Sequence, residues 1–343
     1  MSQEAMPTRI DVHSHYLPPF YRKALQDKGH GNPDGMPAIP EWSPEAHLDI
    51  MSRIGISRSI LSISTPGVHL DHSDPEHAVQ LARQCNSYAA KLKHDHPEKF
   101  GFWAALPLPS IEGALDEIPQ ALKEGADGFC FMTNNHGHYL GDKTFDPVFK
   151  ALNERKATIF IHPTTPCMAC SADDMANGVP PTKATPFSGR YPNPMLEFFF
   201  DTARVVANLF LSGTISRYRD ITIILPHLGG ASTPLLSRFS GFSTLVPGPW
   251  IGVGEDELRE MLNERFYFDL AGFPFPSQIV GLVMGAGVGP DRLLYGSDFP
   301  FTKADGVVML ADKMDQGVKE MFSEEEVKNI YGENARRLLE RTA

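Results

Sequence analysis

Five residues in this sequence combine metal-ligating or acid/base chemistry with a shared kind of placement: His13, His15, His162, His227 and Asp298. The chain has 13 histidines, and four of them, with one aspartate, fall where a short β-prone run ends. His13 and His15 form His-Ser-His. In an extended strand, residues i and i+2 share a face, so two imidazoles can aim at one point. His162 closes Ile-Phe-Ile-His-Pro, His227 lies in Leu-Pro-His-Leu-Gly-Gly, and Asp298 lies in Tyr-Gly-Ser-Asp-Phe-Pro. Imidazole nitrogens with one carboxylate form a borderline-hard donor set that suits Zn²⁺ and also Mn²⁺, Fe²⁺ or Co²⁺. A single histidine at a strand end is commonly a hydrogen-bonded core residue. All five positions meeting on one rim point to a metal.

Eight predicted strands can bring them together: Arg9–His13, Arg58–Ser64, Gly101–Leu108, Ala126–Met132, Ala157–His162, Ile221–His227, Phe266–Ala271 and Arg292–Asp298. Continuous apolar runs such as Thr158-Ile-Phe-Ile161 suit parallel strands buried on both faces. Between them the periodicity predicts helices over Pro44–Ile54, Pro75–His96, Ile111–Lys123, Pro147–Arg155, Pro194–Ser216, Glu255–Glu264, Ser277–Met284 and Gly306–Gln316. Glu324–Tyr331 and Glu333–Arg341 are read as two more helices at the end of the chain. Strand–helix alternation of this length is that of an α/β, (β/α)₈ TIM barrel, distorted, in which the carboxyl ends of all strands converge on one mouth. An open doubly wound sheet would carry a Gly-rich turn after its first strand, and here that place reads His-Ser-His-Tyr-Leu-Pro-Pro. Two long Pro- and Gly-rich connections, Tyr16–Trp42 and Pro163–Asn193, leave the first and fifth strands on the side expected to hold the site.

The composition narrows the function class. With 343 residues, 42% hydrophobic and 21% charged, the chain can bury a sizeable core, and residues 1–343 read as one barrel domain. A formal charge of -11 argues against nucleic acid or an anionic membrane surface as a partner. No apolar run approaches the roughly 20 residues that span a bilayer, and the N-terminus lacks the features of a secretory signal, so a cytoplasmic enzyme is expected. Four cysteines are too few for a disulfide scaffold; Cys167 and Cys170 form Cys-x-x-Cys in a loop, without the second pair or helix start that zinc-knuckle or redox use requires. His94 and His96 sit at a helix end, where the dipole accounts for them, and His136 and His138 follow the fourth strand with at most a minor pocket role expected.

Asp11-Val-His-Ser-His, Phe160-Ile-His-Pro, Leu225-Pro-His-Leu-Gly-Gly and Tyr295-Gly-Ser-Asp-Phe-Pro resemble the metal-dependent amidohydrolase superfamily, most closely its decarboxylase branch. That branch contains 2-amino-3-carboxymuconate-6-semialdehyde decarboxylase and the resorcylate, carboxyvanillate and methylsalicylate decarboxylases. Trp42-Ser-Pro-Glu, His96-Pro-Glu-Lys-Phe and Glu333-Asn-Ala-Arg-Arg-Leu-Leu extend the resemblance along the whole chain. The resemblance implies that His13, His15, His162 and Asp298 are metal ligands and that His227 is the acid/base group beside the metal. Binuclear members carry a carboxylated lysine after the fourth strand. Here that strand ends Phe-Cys-Phe-Met-Thr133, so one metal per chain is implied. Keeping His13, where some relatives have Glu, leans towards the zinc-using members, with Mn²⁺ as the alternative. A homodimer is also implied, in some relatives with an arginine from the partner chain entering the site.

One departure bears on substrate. Members that act on muconate-type acids place arginines in the helix after Trp-x-Pro-Glu, whereas this chain reads Ala46-His-Leu-Asp-Ile50 and has none before Arg53. A smaller aromatic acid with a single carboxylate, of the salicylate type such as 6-methylsalicylate, is favoured. Its reaction would be metal-dependent, non-oxidative decarboxylation with release of CO₂, the proton coming from His227, from Asp298, or from a metal-bound water that His227 positions. Arg190 and Arg204 are candidates for gripping the substrate, and Phe273, Phe275, Phe299 and Phe301 for walling its ring, against ordinary salt-bridge and packing roles for each. The alternative is a metal-dependent hydrolase of the same superfamily acting on a lactone, amide or C–C bond, in which the ligands lower a bound water's pKa to about 7 and His227 is the base. A purely structural metal fits poorly, because such sites fill all four positions, commonly with cysteine.

Overall fold

A computed structural model of the chain describes residues 8–169, 179 and 181–341. Eight strands form one sheet in sequential order. They are β1 (Arg9–His15), β2 (Ile56–Ser62), β3 (Phe100–Ala105), β4 (Gly128–Met132), β5 (Thr158–His162), β6 (Thr222–Leu225), β7 (Phe266–Asp269) and β8 (Leu293–Leu294). Every neighbouring pair is parallel. The sheet curls back on itself: Asp11 bridges Tyr295, and the Val12 N–H donates to the Tyr295 carbonyl at 3.1 Å. The fold is a TIM barrel.

Barrel closure explains the apolar runs. Every residue of β3 and of β5 is buried. Val12, Ile60, Trp103, Cys130, Met132, Phe160, Ile224, Tyr267 and Leu294 fill the interior, so that each strand contributes at least one side chain. Trp103, the largest, satisfies its indole N–H on the Val12 carbonyl at 2.9 Å. Ala335, Leu338 and Leu339 of the helix Asn334–Glu340 pack against the same cluster. Helix starts follow the local chemistry. Ser43 Oγ accepts the Ala46 N–H and Asp74 accepts the His77 N–H, each with proline at the first turn.

Several elements differ from expectation. β6 stops at Leu225 because Pro226 has no N–H and His227 turns to φ 50°. β8 is only Leu293–Leu294; beyond it Tyr295 makes a single bridge to Asp11, and the chain turns on with Asp298 at φ 57°. The stretch read as a loop after β1 holds a helix over Pro19–Asp27, and Leu236–Leu245 is a further helix not anticipated. The helix expected over 194–216 is broken. It runs Glu197–Leu211 and restarts at Thr214–Arg217 after Gly213. In the long connection after β5, Cys167–Met168 pairs antiparallel with Thr182–Lys183; Cys170 lies outside the described residues. No helix among the described residues is long and apolar enough to cross a membrane.

Candidate metal centre

At the carboxyl end of the barrel, His13 and His15 leave β1, His162 ends β5, and Asp298 follows β8. One ligand atom from each lies within 4.8 Å of all the others. The imidazole centroids are 5.1 Å apart for His13 and His15, 5.3 Å for His13 and His162, and 4.7 Å for His15 and His162, with the rings edge-on to one another. All three histidines are buried.

Each ring is oriented through its Nδ1. His13 Nδ1 lies 2.9 Å from Asp269 Oδ2, and His15 Nδ1 lies 3.0 Å from Ser62 Oγ. His162 Nδ1 donates to the Pro163 carbonyl at 2.7 Å. The Nε2 atoms therefore point at the shared centre, and those of His13 and His15 are buried without a hydrogen-bond partner. Two orphaned buried nitrogens are costly in themselves, and a cation would satisfy them. Asp298 Oδ1 stands 3.2 Å from His15 Nε2 and 3.6 Å from His13 Nε2. Three imidazole nitrogens and one carboxylate fit a mononuclear divalent site.

The electrostatics agree. Burial pushes His162 and His15 below the usual histidine range, and neighbouring imidazoles add to the effect, so both stay neutral with lone pairs to offer. Burial also works against charge on His13, but Asp269 and Asp298 outweigh it and raise its pKa to about 9. Burial would raise Asp298, yet its contact with His15 and the charge of His13 hold it below the ordinary carboxylate range. The pocket thus favours positive charge at its centre, whether proton or metal.

His227 sits beside this group. Its ring centroid is 5.0 Å from that of His13 and 5.6 Å from Phe199. Burial, then His13, lowers its pKa to about 4, leaving a neutral imidazole. The His227 N–H donates to Asp269 Oδ1 at 3.0 Å, and its carbonyl accepts from Gln278 Nε2 at 3.1 Å. These bonds hold two successive non-glycine residues, His227 and Leu228, at positive φ. The turn closes on Gly230, where a Cβ would lie 2.7 Å from the Phe199 carbonyl.

The amidohydrolase family profile matches residues 10–341. The chain belongs to the amidohydrolase family. It is 34% identical over 325 residues to the decarboxylase macB of Penicillium terrestre, covering 93% of this chain and 92% of that one. It is 33% identical over 305 residues to the 6-methylsalicylic acid decarboxylase acuB of Aspergillus aculeatus, covering 88% of this chain and 86% of that one. Among solved structures, a dihydroxybenzoic acid decarboxylase from Polaromonas, with bound manganese and the inhibitor 2-nitroresorcinol, superposes with a TM-score of 0.77 at 21% identity, covering 98% of each chain.

The fold brings His13, His15, His162 and Asp298 together, with His227 at their edge. It does not bring the two arginines into that group. Arg204 is half-exposed and lies 3.5 Å from the buried Asp201, which also accepts from Thr133, Asn134 and Tyr139. Arg190 is exposed on the long loop. Phe299 is buried in the core, edge-on to His47 at 5.1 Å. Phe301 comes closer to the site, edge-on to His15 at 5.5 Å, whereas Phe273 is 70% exposed and Phe275 packs at Gly317. Sequence reasoning missed Asp269, Ser62 and Asp11. The signal for Asp269 was present, since it too closes a strand, Phe-Tyr-Phe-Asp269.

Proposed function

We propose that the chain catalyses metal-dependent, non-oxidative decarboxylation of a hydroxylated aromatic acid of the salicylate type, such as 6-methylsalicylate. The observation that carries this reading is the convergence of His13, His15, His162 and Asp298 beside the neutral ring of His227. Those four residues would hold one cation, with Zn²⁺ or Mn²⁺ suited to the donor set. When bound, such a cation supplies Lewis-acid stabilisation of the substrate's carboxylate and ortho oxygen.

The chain's own residues then have a proton to move. Breaking the aryl–carboxyl bond directly would leave an aryl anion, so the ring carbon must be protonated first. His227 takes the ortho-hydroxyl proton and returns it to the carboxyl-bearing carbon. The C–C bond then breaks, its electron pair restores the aromatic ring, and CO₂ departs. The phenolate left behind takes a proton from water. Asp298 is one of the four residues that would hold the cation, so the proton is assigned to His227 rather than to Asp298. Phe301 and Phe199 flank the site and are proposed to wall the ring, with Phe299 packed behind. Arg190 is the arginine proposed to approach the carboxylate, because Arg204 already faces Asp201.

We further propose a cytoplasmic homodimer. Met195, Leu196 and Phe200 line an open groove of about 440 Å³, and Met195 is 64% exposed, an apolar face suited to a second copy. The deciding experiment offers salicylate, 6-methylsalicylate and 2,6-dihydroxybenzoate, with lactones and amides in parallel. Release of CO₂ with the matching phenol supports the proposal; hydrolysis of a lactone or amide without release of CO₂ overturns it.

A further inference from the structure

Asp269 makes three hydrogen bonds with distinct consequences. Its Oδ1 accepts two backbone N–H groups, from His227 at 3.0 Å and from Ala271 at 3.1 Å. Its Oδ2 faces His13 Nδ1 at 2.9 Å. The residue is fully buried, at the end of β7. An ionised carboxylate only accepts, so the hydrogen of that last bond sits on His13 Nδ1, which leaves Nε2 as the nitrogen that can give its lone pair to a cation at the centre. The other two histidines are fixed by different means. A backbone carbonyl holds His162, and His15 faces a hydroxyl that can act either way.

We propose that Asp269 is a positioning residue that keeps His13 in its ligand-competent tautomer and ties that ring to the His227 turn. The proposal rests on the metal reading given above. It predicts a specific failure in Asp269→Asn, which has the size of the native side chain. The two backbone N–H groups would retain the amide oxygen, leaving the amide NH₂ to face His13 Nδ1. His13 would then have to accept at Nδ1 and carry its hydrogen on Nε2, where no metal can bind.

The test is titration of the metal-free protein with Co²⁺, read from its visible absorption, with circular dichroism as the check on folding. Asp269→Asn is expected to fold and to bind Co²⁺ about 10–100-fold more weakly than the native chain. Asp269→Glu, which keeps a carboxylate, is expected to bind more tightly than Asp269→Asn. Native-like binding by Asp269→Asn overturns the proposal and leaves the metal centre standing. Equal weakening in both variants also overturns it, because packing rather than the tautomer would then be responsible. No Co²⁺ binding by the native protein removes the metal reading itself, and this inference with it.

Discussion

Ser297 and Asp11, 286 residues apart in sequence, are joined by a buried hydrogen bond of 2.6 Å from the hydroxyl to Oδ2. The Ser297 N–H and the His13 N–H both donate to the other oxygen of Asp11, at 3.1 Å each. Asp11 therefore clamps the strand that carries His13 and His15 to the turn that carries Asp298. Burial raises its pKa to about 7, although its bonds with Ser297 pull the other way.

Ser297→Ala removes one donor and leaves Asp11 Oδ2 buried without a partner. The expected cost is about 1–3 kcal/mol in urea unfolding, with weaker cation binding because Asp298 is less well held. Unchanged stability would show that Asp11 finds another donor.

His227→Gln should separate binding from chemistry. His227 is not among the four residues proposed to hold the cation, so the variant is expected to bind one cation like the native chain. Its kcat is expected to fall by about 10²–10⁴-fold, the usual range for a lost general acid/base. Metal analysis and steady-state kinetics on the same preparation check both halves.

Gly230→Ala places a Cβ 2.7 Å from the Phe199 carbonyl, at a backbone φ of 58°. The turn must shift to admit it, and His227 shifts too. The expectation is a loss of kcat with cation binding retained. A destabilisation of about 1–3 kcal/mol in thermal or urea unfolding should accompany it.

Arg9 supplies a control away from the mouth. It is fully buried at the start of β1, pairs with Asp315 at 2.5 Å and lies over the Tyr331 ring at 4.7 Å. Arg9→Ala leaves Asp315 with only the Tyr331 hydroxyl as partner and breaks a buried ion pair, at an expected cost of about 3 kcal/mol. Activity per folded molecule at low temperature should be unchanged.

The sequence showed the barrel because parallel strands buried on both faces leave apolar runs, and it showed the four converging residues because each sits near the end of such a run. Element boundaries were less legible at β6 and β8. Pro226 and the positive-φ residue His227 end the ladder of β6, and β8 stops at Leu294 ahead of the turn that holds Asp298 at positive φ, although the sequence still reads as β-prone. Asp269, Ser62 and Asp11 escaped notice for another reason. Asp269 closes a β-prone run as the converging residues do, but its importance, like that of Ser62 and Asp11, lies in which distant neighbours it faces, and local sequence does not mark a hydrogen-bond partner on another strand. Arg204 shows the converse: its position suggested the site, but Asp201 takes its charge.

The central claim is tested most directly by stripping the purified protein of metal with a chelator and following CO₂ release from 6-methylsalicylate as Zn²⁺ or Mn²⁺ is restored. The expected result is no turnover in the stripped protein and recovery that saturates at one cation per chain. Full turnover without metal, or failure of the native protein to bind any divalent cation, would contradict it.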